Sequence, residues 1–132
     1  MILIMKLLLD THTFLWWILD DPRLSVRTLE LIGDDRNMLY WSAASSWEVS
    51  IKYALGRLPL PETPEQFLPA ELGRNRVESL PIVDAHAFRA GQLPRHHRDS
   101  FDRMLVAQSQ VESMGIISND QQLAYYNVEV YW

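Results

Sequence analysis

The chain has 132 residues, of which 48% are hydrophobic and 22% charged, a composition that predicts one globular domain over residues 1–132. It contains no cysteine, which excludes a disulfide framework and thiolate metal sites and fits the reducing cytoplasm. A net charge of −5 would argue against non-specific nucleic-acid binding if the charge were evenly spread over the surface. The charge is uneven if several acids are concentrated in one metal site.

The first half of the chain alternates predicted strands with predicted helices. The opening run, residues 1–9, is apolar, lacks a basic leading region and a cleavage site, and stops at Asp10, which predicts a buried strand. No stretch approaches the roughly 18 apolar residues that span a bilayer, so we expect a soluble protein with no membrane partner. The next predicted elements are a helix over 11–19, a helix over 24–32 stopped by Gly33, a strand over 38–42, and a helix from Ser45 with Trp47, Ile51, Ala54 and Leu55 on one face.

The second half continues the alternation around a basic loop, residues 93–98. Thr63-Pro64-Glu65-Gln66 has the capping residue and first-turn proline of a helix start. The other predicted elements are a strand over 77–83, a helix over 84–90 ended by Gly91, a helix after Asp99 with Met104, Ala107, Val111 and Met114 along one stripe, a strand over 115–118, and an edge strand carrying Val128, Val130 and Trp132.

Four acids stand where strands end or where the following helices begin: Asp10, Glu48, Asp102 and Asp120. Strands that alternate with helices imply an α/β domain with parallel pairing, and ligand sites of such sheets lie beyond the carboxyl ends of the strands. The sequence therefore allows the four acids to converge on one edge. Carboxylates gathered there would bind a divalent cation, which usually means phosphate chemistry.

Helix capping is the competing interpretation of each acid. Asp10 and Asp120 precede helical segments, Ser45 with Glu48 has the spacing of a capping box, and Asp99 with Asp102 resembles another. Two carboxylates about 4 Å apart repel by roughly 4 kcal/mol at an effective dielectric near 20, so capping has no reason to bring four of them together. A bound cation supplies that reason.

Five stretches carry a family resemblance that covers nearly the whole chain, in order and with family-like spacing. They are residues 7–12 (LLLDTH), 45–52 (SSWEVSIK), 55–58 (LGRL), 97–108 (HRDSFDRMLVAQ) and 117–120 (ISND). Together they resemble a PIN domain and, more narrowly, the VapC-type toxins of bacterial toxin–antitoxin pairs.

The resemblance implies a three-layer α/β/α sandwich around a mostly parallel sheet of four to five strands, and a Mg²⁺- or Mn²⁺-dependent endoribonuclease. It carries the catalytic and metal-ligand roles onto Asp10, Glu48, Asp102 and Asp120, with Asp10 central and Asp120 in a weaker or indirect position. Supporting roles fall to Ser118, Thr11 and Asp99, the last ranked below Asp102 as the probable helix cap. Relatives of this type form homodimers and are silenced by a cognate antitoxin, and the acidic net charge is consistent with a basic inhibitor segment.

The basic loop has two interpretations. Arg95, His96, His97, Arg98 and Arg103 could meet phosphates of an RNA substrate beside the acidic edge, or form a solvated loop. Zinc binding by the histidine pair is disfavoured, because adjacent residues do not readily aim both rings at one ion. His12 suits a structural or surface role, and one member of the pair Trp16-Trp17 could mark a dimer or partner surface.

Three other classes compete with a ribonuclease. A receiver-type signalling domain needs a lysine near its last strand, and the only lysines are Lys6 and Lys52. A phosphatase with an Asp-x-Asp-x-Thr motif is disfavoured because His12 occupies the second Asp position. A catalytically silent PIN-like RNA- or protein-binding module would usually lack acids, and all four are present.

Overall fold

A computed structural model describes residues 4–132, so the first three residues of the predicted opening strand lie outside the described chain. The elements are, in chain order, β1 Lys6–Leu9, α1 Thr11–Ile18, α2 Val26–Gly33, β2 Met38–Ser42, α3 Ala43–Ala54, α4 Pro64–Arg74, β3 Val77–Leu80, α5 Asp84–Gln92, α6 Ser100–Glu112, β4 Gly115–Ile117, a 3-10 helix Gln121–Tyr125, and β5 Val130–Tyr131.

The strands form one five-stranded sheet in the order β3-β2-β1-β4-β5, and all four pairings are parallel. β1 lies at the centre, where Leu7 is opposite Leu39 of β2 and Gly115 of β4. The chain moves to one side of β1 for β2 and β3 and returns to the other side for β4 and β5, so the strand order reverses at β1. Ligands of doubly wound sheets bind at such a reversal, beyond the carboxyl ends of the strands.

Helices cover both faces of the sheet, which confirms the predicted three-layer sandwich. Alternate residues of a strand point to opposite faces, so Leu7 and Leu9 pack on one side and Leu8 on the other. The first face meets α1, α2 and α4 through Phe14, Ile32, Phe67 and Leu72. The second meets α6 through Leu105 and Val106. All three leucines are fully buried, and burying each one stabilises the fold by roughly 1.5–3 kcal/mol.

Two glycines do not end helices as predicted. α2 extends through Gly33, and α5 continues past Gly91 to Gln92. A glycine that ends a helix usually adopts positive φ, and among the glycines of residues 4–132 only Gly56 does so. Gly33 and Gly91 keep the right-handed backbone and simply continue the helix.

Four strands are shorter than predicted, and the first of them, β1, begins at Lys6. β3 ends at Leu80, because Pro81 has no amide hydrogen for the ladder. β4 ends at Ile117, although the next amide, Ser118 N, still donates to Tyr131 O at 3.0 Å. β5 begins at Val130 rather than Val128, whose amide closes a turn onto Tyr126 O at 2.8 Å.

The start of α3 lies two residues before the predicted Ser45. Ser42 ends β2 and also caps the helix, since its Oγ accepts a hydrogen bond from Ala44 N at 3.0 Å. Strand and helix therefore join without a loop. The predicted apolar face with Trp47, Ile51 and Leu55 is turned toward solvent. Within residues 4–132, no helix has both the length and the apolar character required to cross a membrane.

Candidate metal centre

Asp10 lies directly after the central strand, and its backbone extends the sheet by one step through a 3.1 Å hydrogen bond from its N to Ile117 O. Its carboxylate is buried, and Oδ2 accepts a 2.6 Å hydrogen bond from Ser118 Oγ. Asp10 is the N-cap residue of α1, but its side chain makes no capping hydrogen bond of good geometry, so its carboxylate faces the site. Burial raises the pKa of Asp10, and the Ser118 hydrogen bond and the nearby His12 oppose that rise.

Ser118 connects Asp10 to Asp120. The hydroxyl that donates to Asp10 also accepts a hydrogen bond from Asp120 N at 3.0 Å. Asp120 Oδ1 in turn accepts from Gln122 N at 2.9 Å, which caps the 3-10 helix as the alternative interpretation predicted. The second carboxylate oxygen of Asp120, Oδ2, takes no part in this cap and remains available to the acidic site.

Glu48 enters from α3 and is almost fully buried. Because Ser42 is the N-cap, the predicted capping box of Ser45 and Glu48 does not form. Ser45 Oγ instead accepts a 2.7 Å hydrogen bond from Thr11 Oγ1, which ties α1 to α3. Glu48 Oε2 lies 2.6 Å from Lys52 Nζ. Sequence reasoning missed this partner, although its spacing of four residues on one helix was a usable signal.

Asp99 and Asp102 have different roles at the start of α6. Asp99 is the cap, since its Oδ1 accepts hydrogen bonds from Phe101 N at 2.8 Å and Asp102 N at 3.2 Å. Asp102 points to the other acids. Burial and then the negative charges of Asp10 and Asp99 raise the pKa of Asp102 to about 7, with a further contribution from Glu48. The fold therefore brings Asp10 and Glu48 close enough to Asp102 to disfavour its ionised form.

His97 contributes an imidazole to this acidic group. Its Nε2 lies 2.8 Å from Asp120 Oδ2 and 3.2 Å from Asp102 Oδ2. One ligand-type atom from each of these three residues lies within 4.8 Å of the others. The prediction placed His97 in the basic loop among contacts to RNA, and the local sequence carried no signal that its ring turns back to the acids.

The protonation of His97 argues against its acting as a metal ligand. Asp99 N donates to His97 Nδ1 at 3.1 Å, so Nδ1 must hold a lone pair and the ring proton sits on Nε2. That Nε2–H donates to Asp120 Oδ2. Nε2 could bind a metal only if the proton moved to Nδ1, where it would face the Asp99 amide hydrogen. Proximity alone suggests a mixed His–Asp site, but the hydrogen bonds identify His97 as a donor that positions Asp120 and lies beside Asp102.

The donor set fits a hard divalent cation. Asp10, Glu48 and Asp102 offer carboxylate oxygens, the ligands that Mg²⁺ and Mn²⁺ take in proteins. With a pKa of about 7, Asp102 is only partly ionised at neutral pH when no cation offsets its neighbours. A cation among these oxygens would offset the negative charges that disfavour ionised Asp102. We therefore identify these carboxylates as the candidate metal centre.

The predicted RNA-contacting residues separate into two groups. Arg103 is held by carbonyls at the end of α5, with NH2 donating to Ala90 O and Leu93 O at 3.1 Å and NH1 to Pro94 O at 2.9 Å. Its guanidinium therefore anchors the basic loop. Arg95 and Arg98 are exposed and border an open cavity of about 530 Å³.

The remaining residues singled out in the sequence lie around the centre. The His96 ring turns away from the acids and packs against Tyr126 with centroids 5.2 Å apart. His12 is exposed and lies against Trp16 at 5.8 Å. Trp16 is covered in part by Trp132, at 6.0 Å, and by the Arg23 guanidinium.

Comparison with known proteins agrees with this architecture. The family model described as PIN domain matches residues 7–129. Ribonuclease VapC16 of Mycobacterium tuberculosis is 38% identical over 69 residues, a region that spans 49% of this chain and 49% of that protein. The chain thus aligns with about half the length of this relative.

Solved structures with the same fold include two toxin–antitoxin complexes and a further assembly. The VapBC2 complex of Rickettsia felis, bound to a promoter DNA fragment, has a TM-score of 0.72 at 17% identity and covers 96% of this chain and 98% of its own. VapBC-1 of Haemophilus influenzae has a TM-score of 0.64 at 16% identity, with 96% and 97% covered. FitAcB of Neisseria gonorrhoeae has 0.62 at 19% identity, with 96% of each chain covered. At these identities the structures share the fold, and the family match establishes that the chain belongs to the PIN domain family.

Proposed function

We propose that this chain is a Mg²⁺- or Mn²⁺-dependent endoribonuclease of the cytoplasm and the toxin of a VapBC-type toxin–antitoxin pair. The observation that carries the proposal is the convergence of Asp10, Glu48 and Asp102 at the carboxyl edge of the sheet, where the pKa of Asp102 is raised to about 7. A fold that needed no cation would have no reason to keep such a group. The ribonuclease name of its Mycobacterium tuberculosis relative supports the choice of RNA.

Each side chain of the centre has a role in the proposed reaction. Asp10, Glu48 and Asp102 would hold the cation, with Asp120 contributing directly or through water. When bound, the metal lowers the pKa of a coordinated water and stabilises charge on the leaving oxygen. Ser118 positions Asp10 through its 2.6 Å hydrogen bond. Hydrolysis of this kind leaves a 5′-phosphate and a 3′-hydroxyl.

The surroundings of the centre suit a polyanionic substrate. Arg95 and Arg98 would meet phosphates that flank the scissile one, since both are exposed beside the cavity next to the acids. Arg103 would act indirectly, because its guanidinium already donates to the carbonyls of Ala90, Leu93 and Pro94. Together these cations would offset the acidic net charge along the path of the RNA.

The proposed partners are a cognate antitoxin and a second copy of the chain. Two of the solved relatives are VapBC assemblies, which supports an antitoxin as the physiological inhibitor. A basic antitoxin segment would complement the carboxylates electrostatically. The silent-module alternative is less favoured, because the acids are present and also converge.

Cleavage of total RNA tests the proposal. The purified chain should produce discrete cuts with Mg²⁺ or Mn²⁺ and none with EDTA, and the new 5′ ends should carry phosphate. Asp10→Asn should abolish cleavage without unfolding the protein, whereas the matched surface control Asp35→Asn should cut like the wild type. Equal cleavage by wild type and Asp10→Asn, or cutting that persists in EDTA, would contradict a metal-dependent mechanism.

A further inference from the structure

An aromatic pair, with one exposed and one half-buried ring, lies beside the carboxylates. The rings of Trp47 on α3 and Phe101 on α6 meet edge to face, with centroids 5.3 Å apart and planes at 78°. Each ring directly precedes an acid of the centre, Glu48 or Asp102. Successive residues of a helix are rotated by about 100°, so the acid points inward and the ring lies at the rim.

Trp47 is not used to build the core. Its side chain is 63% exposed, whereas Trp41 is completely buried and its indole Nε1 donates to Ser46 Oγ at 2.8 Å. α3 is held to the sheet by Val49, which is fully buried. The Trp47–Phe101 contact therefore joins two helices at the surface and leaves the greater part of the indole open to a ligand.

Two exposed arginines lie near the aromatic pair. Ser100, the neighbour of Phe101, lines the cavity of about 530 Å³ that Arg95, His97 and Arg98 also border. One surface of the protein thus carries, in succession, aromatic faces, carboxylates that suit a cation, and arginines. A nucleotide has complementary parts, because its base has a π-face and its backbone carries negative charge.

We infer that Trp47 and Phe101 form a stacking platform for one nucleobase of single-stranded RNA, adjacent to the phosphate that reaches the carboxylates. The inference rests on the proposed ribonuclease function and adds a binding subsite to it. Base stacking on aromatic side chains tolerates any base, so the platform holds the strand in place without reading its sequence. It requires an unpaired base, which selects single strands or loops over intact duplex.

A protein partner is the competing occupant of this surface. Ile51 and Leu55 are exposed one and two turns farther along α3, and an aliphatic stripe of that kind suits a docked helix. RNA is favoured at the aromatic end, because the pair adjoins both the carboxylates and the arginines. The stripe also supplies a matched control, since Leu55 lies on the same helix face but two turns from the acids.

Steady-state kinetics on a single-stranded oligonucleotide that contains a mapped cut site test the platform. Trp47→Ala should raise KM by about 5- to 100-fold, the range expected from losing one stacked base, with kcat changed much less. Trp47→Phe keeps a π-face and should restore most of the affinity, whereas Leu55→Ala should match the wild type. Replacing the base next to the cut with an abasic spacer should weaken the wild type and leave Trp47→Ala unaffected.

Binding without cleavage separates this inference from the proposed function. Fluorescence anisotropy of a labelled single-stranded RNA in EDTA should show weaker binding by Trp47→Ala even if the protein cuts nothing, in which case only the ribonuclease assignment fails. If the wild type cleaves and Trp47→Ala has the same KM and the same RNA affinity, the platform is refuted and the ribonuclease stands. Loss of antitoxin affinity with unchanged KM would assign the pair to a protein partner and also refute the platform.

Discussion

Replacing Asp102 by asparagine should stabilise the metal-free protein at alkaline pH. The fold holds the pKa of Asp102 at about 7, above the ordinary value of 3.8, through burial and the charges of Asp10 and Asp99. The folded state therefore binds this proton more tightly than the unfolded chain between about pH 4 and pH 7. The stability that this proton contributes to the folded state is fully present below about pH 4. It is lost as the pH rises from about 4 to 7.

The size of the effect follows from the pKa difference. About three pKa units at 1.36 kcal/mol each set an upper limit of roughly 4 kcal/mol. The Asp102 side chain is 19% exposed, so water screens part of the repulsion and we expect about 2 kcal/mol. Asparagine has nearly the same shape and cannot ionise. For a chain of this length the gain corresponds to a rise in Tm of about 6 °C.

Thermal denaturation in EDTA at pH 5 and pH 8 measures this directly. Asp102→Asn should exceed the wild type at both pH values, and its gain at pH 5 should be about one third of the gain at pH 8, because the unfolded chain already loses this proton above about pH 4. Adding Mg²⁺ or Mn²⁺ at pH 8 should stabilise the wild type more than the variant. Asp34→Asn, which removes an exposed ion pair with Arg36, should give no gain. A variant less stable than wild type at pH 8, or a gain of equal size at both pH values, would refute the electrostatic argument.

Two further substitutions test the supports of the centre. Burial raises the pKa of Asp10, and the hydrogen bond from Ser118 opposes that rise. Ser118→Ala should therefore shift the rising limb of the pH–rate profile to higher pH and weaken metal binding in titration calorimetry. An unchanged rising limb would contradict this role of Ser118. Gln108 is fully buried, accepts a hydrogen bond from Ser42 Oγ at 2.5 Å and donates one to Pro81 O at 3.3 Å. Gln108→Leu should therefore lower the free energy of unfolding, measured by urea denaturation, by about 1–3 kcal/mol. A loss below about 0.5 kcal/mol would contradict a stabilising role of these hydrogen bonds.

The convergence of the acids was predictable because it depends on topology. Parallel strands bring their carboxyl ends to one edge, so the sequence allowed Asp10 after β1 and Asp120 after β4 to converge, and the pairing of β1 with β4 brings them together. The capping alternatives were also informative, since Asp99 and Asp120 do cap helical segments. At Glu48 the same local pattern failed, because Ser42 caps α3 three residues before Ser45.

Features set by tertiary contacts were not predictable. Ser45 looked like the start of α3, but Ser42 is both the last residue of a strand and the cap, a double use that no local pattern distinguishes. His97 lies among basic residues in the chain and among acids in space. The apolar stripe with Trp47 predicted a shared helix face correctly, yet periodicity cannot say whether such a face meets the core or solvent.

The hydrogen bond from Asp99 N to His97 Nδ1 determines which substitutions at position 99 would keep the orientation of the His97 ring. The donor is a main-chain group, so it persists whichever side chain occupies position 99, with proline as the exception because it lacks the hydrogen. Descendants of this protein could therefore lose the Asp99 carboxylate and still present the same imidazole face to Asp120. A proline at position 99 would free Nδ1, expose a nitrogen lone pair at Nε2, and open the centre to softer ions such as Zn²⁺. The main-chain amide of residue 99 thus favours the His97 tautomer that carries its proton on Nε2.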